Sequence, residues 1–240
     1  MRYQRSLPVP GEDDGAEAKT KDLARLIIMA TPSLRRFQAV CKGLGANSDP
    51  VTLYDDLIRA YSEPHRAYHT VVHLESCLRE FDAARQLAEA PYAIEAALWF
   101  HDAIYDTHRS DNEERSASWA SSALSALGVS ASRAKRVGQL VLATCHHEAG
   151  NDADTALLLD VDLSILGTRP ENFDRYEAEV RREYAWVSDA DFRHGRRAIL
   201  EKLRDRKRIY QTDFFHDRYE AQARANLTRS LVKLRGEGVG

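Results

Sequence analysis

Strand patterning is nearly absent from this 240-residue chain. Apolar and polar residues scarcely alternate with the period of two that marks a half-buried strand, which argues against any sheet-based fold. Glycine and proline are few, 12 and 7, and fall mostly between periodic segments, so long stretches run unbroken. Cysteine is scarcer still. Cys41, Cys77 and Cys145 are odd in number and scattered, which argues against a disulfide framework and for a reducing compartment. The net charge is -3 and the pI about 6.3, so the chain lacks the basic field that would draw a nucleic acid polymer or an acidic membrane surface. No apolar run is long enough to span a bilayer, and Met1 to Thr20 mixes Pro, Gly and acids without the apolar centre of a signal peptide. These absences point to a cytoplasmic protein acting on a small soluble molecule. A flexible tail is expected over 1–20 and one helical domain over 21–240.

What is present is helix-forming sequence, rich in Ala, Leu, Arg and Glu. Periodicity predicts helices at about Lys21 to Leu44, Thr52 to Tyr61, His69 to Ala88, Tyr92 to Ile104, Asn112 to Leu127 and Ala131 to Cys145. Others are predicted at about Thr155 to Leu166, Pro170 to Tyr184, Asp189 to Arg208 and Asp213 to Leu234. The breaks at Ser62-Glu63-Pro64, Gly128-Val129-Ser130 and Gly167-Thr168-Arg169-Pro170 read as interhelical turns. Trp186, Phe192, Tyr210, Phe214 and Phe215 are spread over several late segments, the distribution of helix-packing aromatics rather than of a base-stacking platform. Those late segments are expected to complete a pocket wall or a homo-oligomer surface.

Against this background one set of residues stands out. His69 and His73 are spaced i to i+4, one helical turn apart on a shared face. The pair His101-Asp102 interrupts the apolar stretch from Ala96 to Tyr105, and Asp160 and Asp162 interrupt the run from Leu157 to Leu166. Carboxylates and imidazoles are costly to bury unless hydrogen-bonded or held by an ion. Imidazole nitrogen mixed with carboxylate oxygen suits a borderline or moderately hard divalent ion with positions open to water and substrate. The set includes no cluster of thiols, which disfavours a structural zinc knot. Cys77 lies one turn beyond His73, where a buried free cysteine is the commoner outcome than a soft ligand.

The order His73, then His101-Asp102, then Asp162 resembles the signature of the HD superfamily of metal-dependent phosphohydrolases, a histidine, an adjacent His-Asp pair and a later aspartate carried on an all-α helical bundle. The likeness extends to a bacterial subgroup of predicted HD-domain phosphohydrolases, through the stretches Pro64 to His69, Trp99 to Asp106, Asp111 to Ala117, Leu159 to Gly167 and Ala223 to Leu227. It implies that His73, His101, Asp102 and Asp162 ligate a divalent ion (Mn, Mg, Fe, Ni, Co or Zn) that activates water for attack at phosphorus. His69 matches the family position that faces the leaving group or phosphate. Of the two aspartates, Asp162 is the one followed by a leucine as the family's last ligand usually is, which leaves Asp160 to orient a ligand histidine.

Other residues are candidates by position. Asp106 and Glu113 follow the HD pair and are read as groups touching bound water or a substrate hydroxyl, with helix capping by Asp111 to Glu114 as the competing account. Arg66 precedes the first histidines and is the candidate for matching phosphate charge. His146 and His147 follow Leu142 to Cys145; His147 is read toward substrate and His146 behind the ligands. His108 sits in a polar segment and reads as a loop residue, so a full two-metal set is not visible and one ion is expected. The function expected is hydrolysis of a small phosphate ester or nucleotide. The competing readings are a silent nucleotide-binding sensor on the same fold and an HD-type di-iron oxygenase.

Overall fold

A computed structural model describes residues 32–145 and 150–236. The expected tail, the start of the first predicted helix at Lys21, and His146 and His147 lie outside the described residues. Within them the chain is all-α, with ten helices and no strand. In order these are α1 (Leu34–Gly43), α2 (Val51–Ala60), α3 (Val71–Ala84), α4 (Pro91–Phe100), α5 (Asn112–Ala126), α6 (Ala131–Ala143), α7 (Ala153–Asp162), α8 (Pro170–Glu183), α9 (Asp189–Arg204) and α10 (Asp213–Gly236). Short 3-10 turns, Arg85–Leu87 and Leu163–Gly167, extend α3 and α7. None of the described helices is long and apolar enough to cross a membrane.

Local chemistry sets the helix ends. Ser33, Thr70, Asp152 and Ser188 each accept a backbone N–H of the helix they precede, and Pro91 and Pro170 occupy first positions where no amide hydrogen is needed. At the other end of α1 and of α5 a glycine takes the left-handed conformation, Gly45 at φ +90° and Gly128 at φ +87°. Gly128 N–H bonds to Ser125 O (3.0 Å) and Val129 N–H to Leu124 O (3.1 Å), the crossed pair of a Schellman cap. A side chain at Gly128 would also collide with Asn47.

The centre of the molecule is α4. Its sequence is apolar all round, and Ala93 through Phe100 are all buried. Trp99 is fully enclosed, its ring 4.8 Å from Phe37. The one charge in this helix, Glu95, is 3% exposed and paired with Arg36 (2.6 Å) and Arg85. Helices α3, α4 and α7 pack pairwise against one another. Helix α3 begins where α4 and α7 end, so three helix termini meet at one place. Two of them are C-termini, whose unpaired carbonyls favour positive charge.

Candidate metal centre

His73 lies in the first turn of α3, His101-Asp102 directly after α4, and Asp162 is the last residue of α7. Their side chains meet. His73 Nε2 and His101 Nε2 are 3.1 Å apart. Asp102 Oδ2 is 3.0 Å from His101 Nε2 and 3.4 Å from His73 Nε2, while Asp162 Oδ1 is 3.3 Å from His73 Nε2 and 3.6 Å from His101 Nε2. An ion with bonds of about 2.0–2.1 Å holds neighbouring donors about 3.0 Å apart at octahedral angles and about 3.4 Å apart at tetrahedral ones. The spacing of these four groups fits such an ion.

The imidazole orientation fits as well. His101 Nδ1–H donates to the Leu98 carbonyl (2.8 Å), which directs Nε2 toward the cluster and fixes the tautomer that ligates. Two Nε2 atoms facing each other at 3.1 Å need a shared cation between them or a proton on one of them. Burial alone disfavours the charged form of both rings. The neighbouring groups outweigh it, Cys77, Tyr68 and both aspartates at His73 and chiefly Asp102 at His101, and both imidazoles are held well above their ordinary range. Burial likewise opposes ionisation of Asp102, but His101, His69 and His73 hold its carboxyl well below the usual range. Protons and a divalent ion therefore compete for the same lone pairs.

Cys77 joins the cluster. Its Sγ is 3.6 Å from His73 Nε2, and the donor atoms of His73, Cys77, His101 and Asp162 all lie within 4.8 Å of one another. The i to i+4 spacing from His73 was the signal for it, and the buried thiol that the sequence suggests proves to face the imidazoles rather than the apolar core alone. Two four-donor sets thus share His73, His101 and Asp162 and differ in Asp102 or Cys77.

His69 departs from its expected place. The helix starts at Val71 with Thr70 as its cap, so His69 precedes it and does not share a helix face with His73. The two rings are nonetheless 5.8 Å apart. His69 is held by Glu183, a residue without any local sequence signal. Glu183 Oε2 accepts from His69 Nδ1 (2.7 Å) and from the Tyr105 hydroxyl (2.9 Å). Its Oε1 accepts the backbone N–H groups of Ala67 (2.8 Å), Tyr68 (2.7 Å) and His69 (2.9 Å). Burial by itself raises the pKa of this carboxyl; the donors reverse that and bring it down to about 2. The His69 ring stacks on Tyr105 at 4.1 Å.

Two other expectations, for Asp160 and Arg66, are corrected, and the positions of Asp106 and Glu113 are fixed. Asp160 does not touch a ligand histidine; two residues from Asp162 on a helix, it faces away and accepts from Gln211 N–H (2.8 Å), Thr212 N–H (2.7 Å) and Thr212 Oγ1 (2.6 Å), anchoring the start of α10. Arg66 is not placed to clamp a phosphate. Its side chain is fully buried and donates to Glu63 (3.1 Å) and to the carbonyls of His69 (3.0 Å), Asp102 (2.6 Å) and Ala103 (3.1 Å), tying together the two loops that carry the site. Asp106 stands in the cleft wall and caps its own turn, accepting from His108 N–H (2.9 Å) and contacting His108 Nδ1 (3.1 Å). Glu113 stands in the first turn of α5, an acidic position favoured by the helix dipole.

The cluster opens into a cleft of about 1880 Å³ whose walls include His73, Cys77, Asp162, Tyr105 and Glu183. No protein-family model matches this chain, and no curated protein and no solved structure matches it either. What the geometry establishes is a helical protein with a cluster of His, Cys, His and Asp side chains that could hold a metal ion, an arrangement compatible with an HD-type fold.

Proposed function

We propose that this protein is a metal-dependent phosphohydrolase of the HD type acting on a small phosphate ester or nucleotide. The observation that carries the reading is the convergence of His73, His101, Asp102 and Asp162, in the HD order, at separations of 3.0 to 3.6 Å beside a large cleft. A divalent ion held there would polarise a phosphoryl oxygen and lower the pKa of a water molecule. With Cys77 available as a soft donor, zinc, cobalt or iron suits the set better than magnesium.

The chain's own groups supply the remainder. Glu183 accepts from Nδ1–H of His69 and orients the ring, which leaves Nε2 as the atom to exchange a proton with the departing oxygen. Tyr105, stacked on the ring and bonded to the same carboxylate, keeps the imidazole plane fixed. Substrate charge is matched by Arg79 on α3 and Arg175 on α8, both exposed in the cleft walls, in place of Arg66, which is engaged by backbone carbonyls.

The test is metal content of protein purified without chelator, followed by phosphate release from a panel of nucleotides and phosphate esters after reconstitution with each ion. Ion-dependent release that disappears in Asp102→Ala is expected. Full ion-dependent activity in that variant would sink the assignment. Reconstitution with cobalt(II) adds an optical readout: a thiolate-to-cobalt charge-transfer band that is lost in Cys77→Ala places sulfur among the ligands, and its absence in the unaltered protein leaves Asp102 as the fourth donor.

A further inference from the structure

Trp186 breaks the pattern of the late aromatic residues. Phe215 and Tyr210 are fully buried, as helix-packing residues should be, whereas Trp186 is 54% exposed. It is nevertheless firmly held. Its indole N–H donates to Thr107 Oγ1 (2.8 Å), and one ring face stacks on His108 at 4.2 Å with the planes 18° apart. His108 is fixed in turn by Asp106, through both its backbone N–H and its ring. An exposed indole gains little from such ordering by solvent contact alone, since its apolar surface stays in water.

Position gives the ordering a use. Trp186 and His108 line the same cleft as His73, Cys77 and Asp162. Thr107, which accepts the indole N–H, donates its own hydroxyl to the Glu183 carbonyl (3.3 Å). Glu183 therefore grips His69 with its carboxylate and the aromatic pair, through Thr107, with its backbone, so that the two are fixed relative to each other. The cleft also exceeds the range of about 300–1,000 Å³ usual for small-ligand pockets, leaving room beyond a simple phosphomonoester.

We propose that the Trp186–His108 pair is a stacking shelf for the planar base of a nucleotide whose phosphate end lies at the metal centre. This rests on the phosphohydrolase reading and narrows its substrate class to nucleotides over sugar phosphates. Every nucleobase presents a π-face, so stacking supplies affinity for the base while selecting weakly among bases.

The experiment is equilibrium binding to the metal-loaded protein of two non-cleavable ligands, the methylene-phosphonate analogues of adenosine monophosphate and of ribose phosphate. The adenosine analogue should bind roughly tenfold tighter or more, as expected for one stacked base, and quench tryptophan fluorescence. Trp186→Phe should keep that preference; Trp186→Ala should abolish it while leaving the ribose analogue's affinity and the melting temperature unchanged. Equal affinity for the two analogues, or a preference that survives Trp186→Ala, overturns the shelf and leaves the hydrolase reading standing. Failure of both analogues to bind overturns both.

Discussion

Two groups of polar side chains are buried against α4, and they satisfy themselves in opposite ways. Midway along the helix, Glu95 meets two guanidinium groups, those of Arg36 and Arg85, and Arg36 is further paired with Asp82. Opposite charges meet there and the group is complete. At the helix C-terminus, two imidazoles, two carboxylates and a thiol present lone pairs toward one another. Nothing but protons or a cation can bring such a cluster to balance. Buried polarity is common to both; only the second presents converging lone pairs that could hold a cation, and that distinguishes a candidate ligand set from an internal tie.

Crossed substitutions give the sharpest test of this contrast. Asp162→Ala should lower metal affinity by more than about a hundredfold, measured by competition with a chromogenic chelator, while the metal-free protein melts nearly as before. Glu95→Ala should do the reverse, costing about 3–4 kcal/mol in urea denaturation because two cations lose their buried partner, with metal stoichiometry unchanged. If both variants lost stability and both kept the ion, the two clusters would be alike.

Glu183 tests a case between the two, a charge paired internally yet serving the site. Its carboxyl is lowered from 4.5 to about 2 in the folded protein. The stabilisation is therefore fully present above pH 4.5 and is lost as the pH falls toward 2, and the difference is worth about 3 kcal/mol at neutral pH. Glu183→Gln should be less stable than the unaltered protein by about that amount near neutrality, with the gap closing in acid. Parallel urea midpoints across the whole range would contradict it. The smallest effect is expected on the side of α7 away from the cluster, where Thr212→Val removes one of three hydrogen bonds to Asp160 and should cost about 1 kcal/mol with no change in metal binding.

The sequence makes the helices legible because their signals are local. Capping residues, leading prolines and left-handed glycines stand within a few residues of the ends they set, and the predicted helices over the described residues match to within a few positions. The ligand order is legible for a related reason, since each imidazole or carboxylate interrupts an apolar run that has to be buried. Asp160 and Asp162 could have been told apart more firmly, because residues two apart on a helix face nearly opposite ways and cannot both address one ion. Arg66 misleads through nearness: close in sequence to the histidines, it is drawn onto the carbonyls of their own loops. Glu183 could not be read at all. Its partners lie 78 to 116 residues earlier, and an acid at the end of a charged helix looks like any solvated glutamate.

The Asp160 anchor also bears on when the site comes into being. Every candidate ligand has been synthesised once the chain reaches residue 162, yet the backbone amides that fasten the same turn of α7 come 51 and 52 residues after Asp160, at Gln211 and Thr212. A nascent chain thus carries the complete set of ligands without the brace that orients the last of them. An ion taken up at this cluster would meet its full grip only in a chain that has reached its final helix, and a synthesis stalled short of it would yield a protein rich in donors and poor in grip.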